Sequence, residues 1–149
     1  MTTKANPLPA KGRTVGSRSD APGYWNRDIL WLMLVTAEDT GGRSSMMEQL
    51  CRKGSGPSSH RRLWSDEMLY VLQAEVTFVV GEEILAGGPG TSVLVPRNIV
   101  HRFRVDSNET RLLNCYSPAA AAVTVNVDPG YLSAERIGPG HDLHSDFGK

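Results

Sequence analysis

The chain has 149 residues, enough for one substantial core and too few for two ordinary ones. Its 16 Lys and Arg balance 16 Asp and Glu, which removes the electrostatic case for nucleic acid as a main partner and suits a small uncharged ligand better. No apolar run approaches the roughly 18 residues of a membrane span; the longest, Ile29 to Val35, is strand length.

Residues 1–20 are polar, carry Pro7 and Pro9, and set Lys4, Lys11, Arg13 and Arg18 against Asp20. They read as a flexible arm, with a loosely docked first strand as the alternative. Their first thirteen residues, MTTKANPLPAKGR, have no hydrophobic region and so do not resemble a secretory signal. Cys51 and Cys115 lack a C-x-x-C spacing and sit in apolar strand-like surroundings, as reduced thiols of a cytoplasmic protein would.

From Tyr24 the pattern turns to β. Ile29 to Thr36 is apolar on both faces, the mark of a strand covered on both sides. AEDTGG at 37–42 reads as a turn. Ser45 to Arg52 alternates, with Met46, Glu48 and Leu50 on one face and Met47, Gln49 and Cys51 on the other. Met68 to Val80 is the densest β signal, interrupted at Gln73-Ala74-Glu75, where a corner is expected. Shorter strands are predicted at Ile84-Leu85, Ser92 to Val95, His101 to Val105, Arg111 to Tyr116 and around Val125. Asp128-Pro129 offers an N-cap and a first-turn proline, so a short helix is predicted to about Arg136. A polar tail rich in glycine follows. The division expected is an arm at 1–20, a β domain at 21–127, and a helix with tail at 128–149.

Many short strands punctuated by Gly and Pro turns, with one weak helix, predict an all-β sandwich or barrel. Two stretches then stand out. In GSGPSSHRRLWSDE, Gly54 is followed after five residues by His60, and Glu67 comes later; in GTSVLVPRNIVH, Gly90 is followed after five residues by Pro96, then by His101. These spacings resemble the two motifs of the cupin superfamily, G-x5-H-x-H-x4-E-x6-G and G-x5-P-x-G-x2-H-x3-N. The chain departs from them at Arg62, which stands at the second histidine, and at Ala74, Asn98 and Val105, which replace Gly, Gly and Asn. The resemblance, to the small quercetin-dioxygenase-like cupins, covers roughly Tyr24 to Pro118. It implies a double-stranded β-helix, the jelly-roll barrel. It also implies a homodimer, with an N-terminal strand that in this group can wrap onto a neighbouring subunit.

The resemblance supplies three of four expected metal ligands: His60, Glu67 and His101. Two imidazoles and one carboxylate are also the donor set of the facial triad that leaves positions open on Fe(II). A divalent Fe, Mn, Ni or Zn ion is therefore one expectation, with an aromatic or polyketide-like substrate oxidised or rearranged in a secondary-metabolic reaction. Arg62 opposes it. At ~5 Å and an effective dielectric of ~20, each unit of metal charge meets roughly 3 kcal/mol of repulsion.

The alternative needs no metal. Arg62 would be a fixed donor fork, and His60 or His101 would act as acid and base with Glu67, as in an isomerase, cyclase or dehydratase. In a third reading Arg62 salt-bridges Glu67 and the protein is a non-catalytic binding barrel. Phe103 shares a strand face with His101, and Met46, Glu48 and Trp64 are further candidates for the substrate pocket. Arg102 and Arg104 alternate with His101 and Phe103 and should face outwards. Asn114 and Tyr116 could belong to either face of their strand. His141 and His144 lie in the tail.

Overall fold

The computed structural model of the chain describes residues 16–26 and 28–119, with the backbone of two short strands at 124–126 and 135–137. A 3-10 turn (Arg18–Asp20) leads into β1 (Gly23–Asn26), β2 (Ile29–Val35), a single helical turn α1 (Ala37–Thr40) and β3 (Ser45–Cys51). Then come β4 (His60–Arg62), β5 (Asp66–Gln73), β6 (Val76–Val80), β7 (Glu83–Gly87) and β8 (Ser92–Val95). The chain continues through β9 (His101–Val105), β10 (Thr110–Ser117), β11 (Thr124–Asn126) and β12 (Glu135–Ile137). A seven-stranded sheet, β12-β1-β2-β3-β10-β5-β8, faces a five-stranded one, β11-β4-β9-β6-β7. Among the described residues every strand pair is antiparallel. This is the double-sheet jelly roll that the sequence led us to expect.

The core lies between the sheets because alternate residues of the strands are apolar. Leu69 and Val71 of β5, Val93 and Val95 of β8 and Leu112 of β10 meet Val76 and Phe78 of β6 and Phe103 and Val105 of β9. A second cluster of Ala21, Leu30, Leu32 and Leu50 lies apart from this core, with Trp25 and Leu34 packed against it. Strand β2 thus contributes Ile29 to one cluster and Leu30 and Leu32 to the other, which is why it is apolar on both faces.

Local chemistry explains the turns. The predicted turn at 37–42 is a capped helical turn: Thr36 and Asp39 form a reciprocal capping box, and Gly41 ends it at φ 63°. The two motif glycines, Gly54 and Gly90, hold φ of 85° and 92°. Ala74 and Asn98, standing where the family pattern has glycine, adopt the same left-handed backbone at φ 71° and 68°. The glycine-type conformation has survived the loss of the glycine. Gly56 is required for a different reason, since a Cβ there would overlap the carbonyl oxygen of Phe103.

The predicted C-terminal helix is corrected where it can be seen: Glu135 and Arg136, its last residues, belong to strand β12, which pairs with β1. The rest of it, the first fifteen residues of the predicted arm, and His141 and His144 lie outside the described residues. Among the described residues, no helix is long and apolar enough to cross a membrane.

Candidate functional site

Strands β4 and β9 are neighbours, and His60 is paired in register with His101. Their rings lie on the same side, with centroids 4.3 Å apart. Two residues on from His60, Arg62 shares its face, as the period of two requires. Glu67 arrives from the opposite sheet on β5, where it is paired with Tyr116 of β10. Asn114, two residues before Tyr116, points the same way. The site therefore bridges the two sheets, and His60, Glu67, His101, Asn114 and Tyr116 are all buried.

Glu67 is the hub. Its Oε2 accepts from His101 Nε2 at 2.7 Å and from Arg62 Nε at 3.3 Å. Its Oε1 accepts from Asn114 Nδ2 at 2.9 Å and from the Tyr116 hydroxyl at 3.4 Å. Burial pushes this carboxyl up, but the His101 hydrogen bond, the charges of Arg62 and His101 and the Asn114 hydrogen bond outweigh it and hold it down at about 2. Arg62 also donates from Nη2 to the Tyr116 hydroxyl at 2.9 Å, and its guanidinium carbon sits 4.0 Å above the centre of that ring. The cation is thus packed as well as paired.

Both imidazoles are oriented by backbone. His60 Nδ1 lies 2.9 Å from the Ser58 carbonyl and His101 Nδ1 lies 2.9 Å from the Ile99 carbonyl. Such anchoring puts the proton on Nδ1 and turns Nε2 into the site. For His60, burial and the neighbouring His101 push the ring down to about 4, against weaker opposing effects of the Ser58 carbonyl and Glu67. It is neutral at physiological pH and carries a lone pair on Nε2.

The family's metal can be tested against this donor set. The ligand atoms of His60, Glu67 and His101 lie within 4.8 Å of one another, and the anchored imidazoles suit a metal. The carboxylate does not. A carboxylate offers about four acceptor positions, and Arg62, His101, Asn114 and Tyr116 already use that many. The guanidinium moreover brings a permanent positive charge to the side where the fourth ligand would stand. The composition of the cluster fits a metal; its hydrogen bonding and charge do not.

The other predicted pocket residues fall in different places. Phe103 lines the cavity with His60, Arg62, Glu67, His101 and Tyr116, joined by Trp31 and Gln49. Trp64 is 67% exposed and does not line it. Met46 and Glu48 point away from it, because on β3 it is the Met47, Gln49 and Cys51 face that turns into the barrel. They line a separate cavity of about 340 Å³ beside residues 16–18, where Glu48 Oε1 accepts from Arg18 at 3.1 Å and Arg111 at 2.6 Å. Asn114 and Tyr116 had a signal in the sequence: Arg111 marks one face of β10 as outward, which turns Leu112, Asn114 and Tyr116 inward. Trp31 and Gln49 had none.

Comparison with known proteins agrees with this architecture. The family model described as "Cupin domain" matches residues 48–115. Quercetin 2,3-dioxygenase of Bacillus subtilis (strain 168) is 25% identical over 91 residues, which make up 61% of this chain and 27% of that protein. The chain thus spans about a quarter of the length of the curated relative it matches. An RmlC-like cupin from Shewanella frigidimarina shares the fold at a TM-score of 0.65 and 17% identity, over 72% of this chain and 93% of that one. Streptomyces Pac13, solved with uridine, does so at a TM-score of 0.67 and 12% identity, over 81% and 94%. A further structure describes Pac13 as a nucleoside dehydratase. With two sheets closed into a jelly roll, and with both motif histidines and the motif glutamate meeting at one buried point, the chain is similar to the small cupins, matching the cupin domain over residues 48–115 with Arg62 at the position of the second ligand histidine.

Proposed function

We propose that the barrel is an enzyme moving protons on a small neutral carbonyl compound, in the isomerase, cyclase or dehydratase class, and that it does so without a metal. The observation that carries this reading is the filling of the Glu67 carboxylate by Arg62, His101, Asn114 and Tyr116. In this scheme neutral His60 is the base that takes a proton from carbon next to the carbonyl. The Arg62 guanidinium supplies the fixed positive charge that stabilises the enolate oxygen. His101, held between the Ile99 carbonyl and Glu67, is the group that returns a proton. That Pac13 is a dehydratase on the same fold is consistent with this chemistry.

A second reading keeps a divalent metal on His60, Glu67 and His101, with oxidation of an aromatic or polyketide-like substrate. It draws on the 4.8 Å cluster and on the dioxygenase relative. Exchange in D2O separates the two. A panel of enolisable hydroxy-ketones is incubated with the protein and washout of the α-proton is followed by NMR, with and without EDTA. The metal-free reading expects exchange that survives EDTA and disappears in His60→Ala. Exchange that stops with EDTA and returns with one particular metal would establish the second reading instead.

The working unit in this proposal is a homodimer. The side of β5 and β8 turned away from the core exposes Met68, Tyr70 and Leu94, an apolar surface suited to a second copy.

A further inference from the structure

The cavity on the other side of β3 is separate from the histidine cluster. Its volume of about 340 Å³ falls at the small end of the roughly 300–1,000 Å³ of ligand pockets. Alternation places it: Gln49 faces the cluster, so Met46 and Glu48 of the same strand face this cavity instead. Met33, Leu34 and Val35 of β2 extend its apolar wall, and residues 16–18 complete the lining. That segment is tied to the sheet by the Met33 amide, which donates to the Pro22 carbonyl at 2.9 Å, and by Arg18 on Glu48.

One end of this apolar cavity is charged. Glu48 is 4% exposed, and both guanidiniums bond to the same oxygen, Oε1, Arg111 at 2.6 Å and Arg18 at 3.1 Å. Among the described residues Oε2 accepts from nothing, and Arg18 spends only Nη1 on Glu48. The cavity wall thus presents a guanidinium beside a carboxylate oxygen, next to a surface of aliphatic and thioether groups. From this arrangement we infer that the cavity is a second ligand site, taking a small branched aliphatic 2-hydroxy acid. The ligand carboxylate pairs with Arg18, its hydroxyl donates to Glu48 Oε2, and its alkyl chain lies on Met33, Leu34, Val35 and Met46. An ammonium in place of the hydroxyl would meet the two guanidiniums as like charges, which is why the ligand is a hydroxy acid and not an amino acid. The inference does not rest on the proton-transfer reading, since the site lies across the sheet from His60.

The test is calorimetric titration of the full-length protein with 2-hydroxy-4-methylpentanoate, with 4-methylpentanoate as the matched acid lacking the hydroxyl and leucine as the matched amino acid. Binding is located through the Met46 methyl resonance in a carbon-13 spectrum, assigned by its loss in Met46→Leu, which the hydroxy acid is expected to shift. Glu48→Met is expected to weaken the hydroxy acid about tenfold, the worth of one hydrogen bond, and to leave 4-methylpentanoate within about twofold. Arg18→Gln, at a surface turn outside the barrel core, is expected to weaken both acids alike, with partial recovery in Arg18→Lys; it tests the site even where Glu48→Met does not fold. His60→Ala is expected to change neither. No binding of the hydroxy acid at millimolar concentration, no shift of the Met46 signal, equal loss of both acids in Glu48→Met, or unchanged binding in Arg18→Gln would overturn the inference. So would leucine binding more tightly than the hydroxy acid. Loss of binding in His60→Ala would move the ligand to the histidine cluster and overturn the second site, whereas proton exchange that fails in D2O leaves it untouched.

Discussion

At the scale of single residues, an unusual amount of charge is gathered around one carboxylate. Arg62, His101, Asn114 and Tyr116 converge on Glu67, and His60 stays neutral beside them. The consequence is a dependence of stability on pH. Below its ordinary value of 6.5 the His60 ring is protonated in the unfolded chain but not in the folded one, until pH approaches about 4. Stability contributed by the neutral ring is therefore full above ~6.5 and falls as pH drops through that window, by at most about 1.4 kcal/mol per pH unit. Glu67, held at about 2, contributes stability that is present above its ordinary 4.5 and is lost as pH falls further. Urea denaturation at pH 7.5, 5.5 and 4.5 should show the first decline in the wild type and a smaller one in His60→Gln. Equal slopes in the two proteins would contradict the placement of His60.

Elements of the fold show where sequence patterns hold and where they fail. Strands β8 and β9 have the bounds that alternation and proline predicted, Ser92–Val95 and His101–Val105. The corner expected at Gln73-Ala74-Glu75 falls at Ala74-Glu75, between β5 and β6, with Gln73 the last residue of β5. Faces were harder. Periodicity separated Glu48 from Gln49 without saying which lay inside, since both faces of β3 are buried, one in the barrel and one under Arg18 and Arg111. Alternation alone therefore does not choose between Glu48 and Gln49 as the pocket residue. The helical reading of 128–136 followed cap chemistry alone, and at Glu135 and Arg136 pairing with β1 outweighs it. The motif positions lost to Ala74 and Asn98 carry an energetic prediction. Alanine at φ 71° is strained, so Ala74→Gly should stabilise the protein by about 0.5–1 kcal/mol. A lower urea midpoint in that variant would mean that the corner does not hold the left-handed conformation.

The whole molecule places its chemistry between two sheets and leaves apolar residues on the outside of the larger one. Leu94, on edge strand β8, is 62% exposed, and Met68 lies across from it on β5. An edge strand with an apolar side invites pairing with another chain. Sedimentation velocity at micromolar concentration should give twice the mass of the chain, and Leu94→Glu should return it to the monomer. A wild-type monomer at that concentration would remove the homodimer from the account. The barrel itself was legible because the spacing from Gly54 to Glu67 and from Gly90 to His101 survives intact. What Arg62 does inside the barrel was not, because spacing is silent on whether a cation opens a coordination position or closes it. The structure gives Arg62 to Glu67 and Tyr116.

In the proposed scheme Arg62 stands at the place of a metal ligand and the site works without a metal. Calorimetric titration of Zn²⁺ into the wild type and Arg62→His tests it most directly. The variant adds an imidazole at ligand distance, about 2.0–2.2 Å, and removes a repulsion of roughly 3 kcal/mol per unit of metal charge. Weak binding by the wild type and affinity at least about tenfold higher in the variant are expected. One equivalent bound tightly by the wild type, with no gain in Arg62→His, would contradict the scheme.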